Sequence, residues 1–308
     1  MLPTRDELLA VVDDAIAVSG ARPRLLDFTV SPPKPLIVVP DLHARRSFFL
    51  NMLDFVPPLA NGDECVLSLL LRGVVRVVCL GDLFHSEYRG YERWLRAYDE
   101  YLAGNYVGEA ITAEMVENLA LLQMVCLLQT ACPQDFIFLK GNHENIMNRT
   151  GGGDFAFRKF TAEGAQVLAF MQERYDDATL HVISEWERHL PLCAVFPTCA
   201  VSHAEPLRAF TRRELLQGGD EVVHALTWTR NDEAEAGSVG RTLQNLVGSA
   251  RAQEAVWLSG HRPVAERYAL RQAGQLVQLH NPQCEQIALV SPDRAFNPET
   301  DIVEIAEV

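Results

Sequence analysis

Five short apolar runs in this 308-residue sequence each end, within three positions, in a side chain that can ligate a metal. The run 36–39 leads into Pro40-Asp41-Leu42-His43, and the run 74–80 into Gly81-Asp82. The run 136–139 leads into Lys140-Gly141-Asn142-His143-Glu144, 199–201 into Ser202-His203, and 256–258 into Ser259-Gly260-His261. Carboxylate oxygen, amide carbonyl oxygen and neutral imidazole nitrogen suit hard-to-borderline divalent cations such as manganese, iron or zinc. No cysteine falls in the set, which argues against a structural thiolate zinc site. Asp41 and His43 are two apart, so in extended chain both point to one side and can grip one ion. Gly81 lets the backbone turn sharply ahead of Asp82.

Such a set works only if the runs are strands whose carboxyl ends share one side of a sheet, where ligands bind in open α/β folds. The five runs read as buried strands, with helical patterns between them. Ile111, Met115, Leu119, Leu122 and Cys126 recur every three or four residues and predict a core-facing helix. Thr4–Glu7 and Thr211–Glu214 have the spacing of capping boxes; the first opens an N-terminal helix over 4–18 with Leu8, Leu9, Val12 and Ile16 on one face. Ser31-Pro32-Pro33-Lys34-Pro35 reads as a stiff linker. Segments 268–270, 276–279 and 287–290 read as a β-meander. Gly151-Gly152-Gly153-Asp154 could cradle a phosphate through backbone N–H groups, but reads rather as a flexible turn before a helix at Phe155. Alternating strands and helices followed by further strands predict an α/β fold. The expected architecture is a four-layer α/β/β/α sandwich, two mixed β-sheets with outer helices, in a single domain over 1–308. Helical insertions at about 86–134 and 145–197 would roof the cleft.

With 41 acidic and 27 basic residues the formal charge is −14. That balance argues against a broad nucleic-acid or anionic-membrane surface, each of which needs excess lysine and arginine. Bound cations could still create a local positive site. The N-terminus lacks a basic stretch followed by an apolar one. The longest apolar stretch, 65–80, carries Arg72 and Arg76 and is too short to span a bilayer. Seven cysteines form no CxxC pair and their number is odd, which predicts reduced thiols and a cytoplasmic location.

Taken in order, Asp41-x-His43, Gly81-Asp82, Gly141-Asn142-His143-Glu144, His203 and Gly260-His261 resemble the calcineurin-like metallophosphoesterases. They are most similar to the phosphoprotein-phosphatase branch, which includes serine/threonine phosphatases and symmetrical diadenosine-tetraphosphate hydrolases. The resemblance spans residue 36 to about 290. It implies two divalent metal ions: Asp41, His43 and Asp82 at the first, Asp82 bridging to the second, and Asn142, His203 and His261 completing it. His143 would be the general acid rather than a ligand. Many members of the superfamily end in Gly-His-x-His, the last histidine binding the first metal. Gly260-His261-Arg262-Pro263 lacks it, which would leave that metal an open, water-filled position. The chain departs from the branch at Pro40 and Ala44, where glycines are usual, and at Ala204-Glu205 after His203. It departs again in Gly81-Asp82-Leu83-Phe84-His85-Ser86-Glu87, where the branch has Gly-Asp-x-x-Asp-Arg-Gly. His85 replaces the acid that pairs with the catalytic histidine, and the phosphate-binding arginine is gone.

The implied activity is hydrolysis of a phosphate ester by a metal-bridging hydroxide, as in a phosphomonoesterase or serine/threonine phosphatase. The implied partner is a phosphorylated small molecule, nucleotide or phosphoprotein. A dinucleoside-polyphosphate hydrolase and a catalytically impaired metal-binding regulatory protein are the alternatives. A phosphate clamp calls for arginine, whose fork binds bidentately. Arg45, Arg46, Arg149, Arg230 and Arg262 flank the motifs, and the role is assigned to Arg230 and Arg262, with Asn142 also touching substrate. Glu144 is expected to brace its loop by hydrogen bonds, and His85 to be either a partner for His143 or an exposed loop residue. His181, His189, His224 and His280 follow no motif and read as structural.

Overall fold

The computed structural model describes residues 1–20, 22–58 and 62–305. Its strands are β1 (Leu25–Asp27), β2 (Leu36–Val39), β3 (Arg76–Cys79), β4 (Phe136–Phe138), β5 (Cys193–Val195), β6 (Cys199–Ser202), β7 (Val256–Ser259), β8 (Ala269–Arg271), β9 (Leu276–Gln278), β10 (Gln286–Val290) and β11 (Ile302–Glu304). One sheet has the order β11-β10-β2-β3-β4, the other β1-β5-β6-β7-β9-β8. β2, β3 and β4 run parallel, as do β6, β7 and β9. Parallel strands buried on both faces read as continuous apolar runs, which is why these were visible in the sequence.

The two sheets pack face to face. Leu36, Val38, Val78, Leu80, Ile137 and Leu139 meet Ala194, Val201, Leu258, Val277 and Leu279 in one apolar layer. The alternate residues Ile37, Val39 and Val77 face outward under the helices, as period-two alternation requires. Helices covering the other sheet bury Leu226, Leu243 and Leu246 against Trp257. The result is the expected four-layer sandwich of two mixed sheets. The N-terminal helix spans Arg5–Ser19 with the Thr4/Glu7 capping box formed, and the Thr211/Glu214 box opens Arg212–Gln217. Ile111, Met115, Leu119, Leu122 and Cys126 are buried along the helix Glu109–Ala131.

Several expectations are corrected. β8, β9 and β10 form no meander: β8 pairs with β9, whereas β10 crosses to the other sheet beside β2. Between β9 and β10 the chain passes through Asn281-Pro282. No helix begins at Phe155; Gly151 and Asp154 close a β-bridge and the helix starts at Glu163. Among the described residues one helix, Glu109–Ala131, is long and apolar enough to cross a membrane, a longer apolar segment than 65–80, and it packs against the core. β1, β5 and β11 carried no sequence signal; each is three residues long.

Candidate metal centre

All five motif-bearing strands deliver their trailing residues to one rim of the sandwich. Asp41 and His43 follow β2, Asp82 follows β3, and Asn142 and His143 follow β4. His203 follows β6 and His261 follows β7. The backbone is forced into unusual shapes to do this. Ten non-glycine residues have positive φ among the described residues, and six of them stand here: His43, Ala44, Asp82, His85, Glu87 and His261. Left-handed backbone in L-residues costs about 1–2 kcal/mol each, and such strain concentrates where function demands a geometry. Two glycines are required by close approach. A Cβ on Gly260 would lie 1.7 Å from Asp41 Oδ1, and one on Gly141 would lie 2.2 Å from Asp82 Oδ1.

Glu144 braces the loops as expected. Its Oε2 accepts from the N–H groups of Asp82 (3.0 Å) and Gly141 (2.6 Å), and its Oε1 from Leu83 N–H (2.7 Å). Each aspartate is held by one backbone donor: Asp41 Oδ2 accepts from His261 N–H at 2.9 Å and Asp82 Oδ1 from His143 N–H at 2.9 Å. Asp82 Oδ2 then lies 3.5 Å from His43 Nε2 and 3.4 Å from His203 Nε2, between the two groups of ligands.

Ring tautomers follow from the outer nitrogens. His43 Nδ1–H donates to the carbonyls of His85 (3.0 Å) and Phe84 (3.3 Å), so its Nε2 is a bare lone pair. His203 Nδ1–H donates to Leu80 O at 3.0 Å with the same consequence. That bare nitrogen faces Asn142 Oδ1 at 3.0 Å and His261 Nδ1 at 3.2 Å, and His261 Nδ1 is 2.9 Å from Asn142 Oδ1. Electron pairs converge without protons enough to separate them, which is the arrangement a cation resolves. Asp41 Oδ1 is likewise buried with no hydrogen-bond partner among the described residues. The residues present therefore fit divalent metal: Asp82, His203 and His261 bring ligand atoms within 4.8 Å of one another, and so do Asp41, His43 and His280.

The electrostatics agree. Burial pushes Asp41 up to about 6, helped by the charge of Glu87, and pushes Asp82 well above the carboxylate range, helped by the charges of Asp41 and Glu144. Burial lowers His43 and His203 well below the usual imidazole range. His261 falls to about 3 through burial and then the charge of Arg262, with a smaller contribution from Arg230. Neutral imidazoles are the ligating form, and carboxylates that resist ionisation lack a counter-charge that a divalent ion would supply.

His143 stands at the edge of the cluster, Nε2 3.9 Å from Asp82 Oδ2, its ring stacked on Phe157 at 4.7 Å. Burial, then the neighbouring His43 and His85, holds it neutral. His85 is buried rather than exposed. Its Nδ1 accepts from Glu87 N–H at 3.1 Å, its Nε2 is 3.6 Å from Glu163 Oε1, and it stacks on Trp94 at 4.8 Å. Of the arginines, Arg45 is spent on backbone carbonyls, including Asp41 O at 2.7 Å and Cys284 O at 3.1 Å. Arg230 and Arg262 are exposed beside His261, close enough for their charges to depress it. Arg46 and Arg149 are exposed.

Two residues of the cluster escaped the sequence reading. His280, read as structural, follows β9 and is fully buried at the rim; Glu87, in the loop after Asp82, reaches both His43 and His280. For His280 the signal was present, since it too follows an apolar run within two residues.

No family profile and no curated protein matches the sequence. Solved structures do match. A protein serine/threonine phosphatase from Saccharomyces cerevisiae, described as similar to human phosphatase PP5, superposes with a TM-score of 0.62 at 13% identity. The match covers 98% of this chain and 89% of that one. A cold-active protein tyrosine phosphatase matches at TM-score 0.49 and 13% identity, over 89% of this chain and 78% of that one. The first match establishes a metallophosphatase-like fold.

Proposed function

We propose that the chain is a metal-dependent phosphoesterase acting on a phosphate monoester, in the manner of a serine/threonine phosphatase. The observation that carries this reading is the convergence of Asn142 Oδ1, His203 Nε2 and His261 Nδ1 within 2.9–3.2 Å, next to a carboxylate, Asp82, that reaches His43 on its other side. Asp41, His43 and Asp82 would hold one manganese, iron or zinc ion, and Asp82, Asn142, His203 and His261 a second. Such a pair activates water and neutralises phosphoryl oxygens.

The protein's own groups do the rest. Arg230 and Arg262, exposed beside His261, bind the phosphate oxygens and orient the ester, replacing the arginine whose place Ser86 takes. Asn142 adds a side-chain amide donor toward substrate. His143 protonates the departing oxygen through Nε2. An arriving phosphate dianion favours the imidazolium form and offsets the burial that keeps the free ring neutral. His85, bonded to the Glu87 backbone and facing Glu163, packs behind His143 where the related branch has an acid.

Assay of a phosphomonoester, a phosphodiester and a dinucleoside polyphosphate with added Mn²⁺ tests the reading. Turnover of the monoester is the expected result. Turnover of the polyphosphate alone would move the assignment to a nucleotide hydrolase. No turnover with metal bound would make the chain a metal-binding regulatory protein.

A further inference from the structure

β9 runs parallel to β7, register Ser259↔Gln278, so the chain leaves both strands at the same rim. His261 emerges after the one and His280 after the other. The His280 ring is fully buried. Its Nε2 is 3.1 Å from Glu87 Oε2. An ionised carboxylate only accepts, so this contact places the ring proton on Nε2 and leaves Nδ1 a lone pair. That Nδ1 has no hydrogen-bond partner among the described residues and lies 3.8 Å from Asp41 Oδ2. The rings of His280 and His43 are 5.2 Å apart, and ligand atoms of Asp41, His43 and His280 all fall within 4.8 Å of one another.

Glu87 is built for this contact. It holds φ = +52° although it is not glycine, at the position where the resembled pattern places glycine. Its Oε1 is 2.6 Å from Lys159 Nζ and 3.6 Å from His43 Nε2. The carboxylate is thus pinned by Lys159 from the second insertion while its other oxygen fixes the His280 ring. A carboxylate receiving the outer N–H of a metal-bound histidine is the usual way a ligating ring is oriented.

We propose that His280 is a ligand of the first cation through Nδ1, joining Asp41, His43 and Asp82, with Glu87 and Lys159 as the residues that position it. His280 thereby supplies, from a different strand, the histidine that Arg262-Pro263 fail to provide, and the first site is closed by protein where an open position was expected. This inference rests on the two-cation reading above.

The test loads the chelator-treated full chain with Mn²⁺ alone and measures bound metal per chain and affinity by calorimetry, for the parent, His280→Ala and Glu87→Gln. The parent is expected to bind two ions. His280→Ala is expected to weaken one of them at least tenfold and leave the other unchanged; Glu87→Gln should weaken the same ion, by about 10–100-fold. Anomalous diffraction of the Mn²⁺-loaded parent gives a readout that needs no variant. His280 Nδ1 is expected in direct coordination with the ion. Two ions of unaltered affinity in His280→Ala, or an ion at the first site beyond reach of Nδ1, overturns the role of His280 while leaving the phosphoesterase reading intact. Failure of the parent to bind any Mn²⁺ overturns both.

Discussion

His203 Nε2 and Asn142 Oδ1 face each other at 3.0 Å, and neither has a proton to give, because the His203 proton is committed to the Leu80 carbonyl. Two acceptors in contact repel, and inside a buried rim the repulsion is poorly screened. The fold holds them there through strand ends and Glu144 rather than through their mutual attraction. A ligand that accepts both lone pairs therefore stabilises the folded state selectively.

Mn²⁺ at one hundred times its dissociation constant should stabilise the protein by about 2.7 kcal/mol per site, since it binds the folded chain and not the unfolded one. Thermal unfolding with Mn²⁺ and with excess chelator measures this. An unshifted midpoint would contradict the metal assignment.

Replacing His143 by asparagine should retain both ions and lower kcat by about 10²–10⁴-fold, the usual contribution of a placed general acid. The loss should be largest for esters with poor leaving groups. Elemental analysis beside steady-state kinetics decides it: metal lost in proportion to activity would instead make His143 a ligand.

Asp41 holds its proton up to about 6 because of burial. In the metal-free protein the folded value therefore lies above the ordinary 3.8, and a cation must displace that proton below pH 6. Mn²⁺ affinity is expected to be flat above about pH 6 on account of this group and to fall about tenfold per unit below it, one proton being exchanged per ion. Calorimetric titration across pH 5 to 7, in the window set by that value, measures the slope. Without metal the sign for stability is opposite: the Asp41 contribution is complete below 3.8 and is lost as pH rises through 6.

Gly260→Ala should displace Asp41, whose Oδ1 the new methyl would meet at 1.7 Å. A cost of about 1–3 kcal/mol is expected for such overpacking, together with weaker binding of the first ion. Chemical denaturation and metal content follow both effects; wild-type behaviour in both would show that the loop yields freely.

Much of this rim was legible because β2, β3, β4, β6 and β7 are buried on both faces and end in residues of one chemistry. His280 was not, although Leu279-His280 obeys the same rule. The run before it is bounded by Gly274 and Asn281-Pro282, which read as hairpin punctuation, and antiparallel pairing would send its end to the far side. Only the parallel partnership of β9 with β7 corrects that. Glu87 could not be found at all from a pattern, since its role comes from a loop conformation and from Lys159, seventy-two positions away. The same holds for the Glu163 partner of His85.

Asp41, Asp82 and Asn142 leave one sheet, whereas His203, His261 and His280 leave the other. Any ion seated among them is thus a rivet through both halves of the sandwich at their shared edge. Removing such an ion would loosen the seam where substrate would enter, so occupancy of the centre would govern how rigidly the two halves are joined as well as any chemistry performed between them.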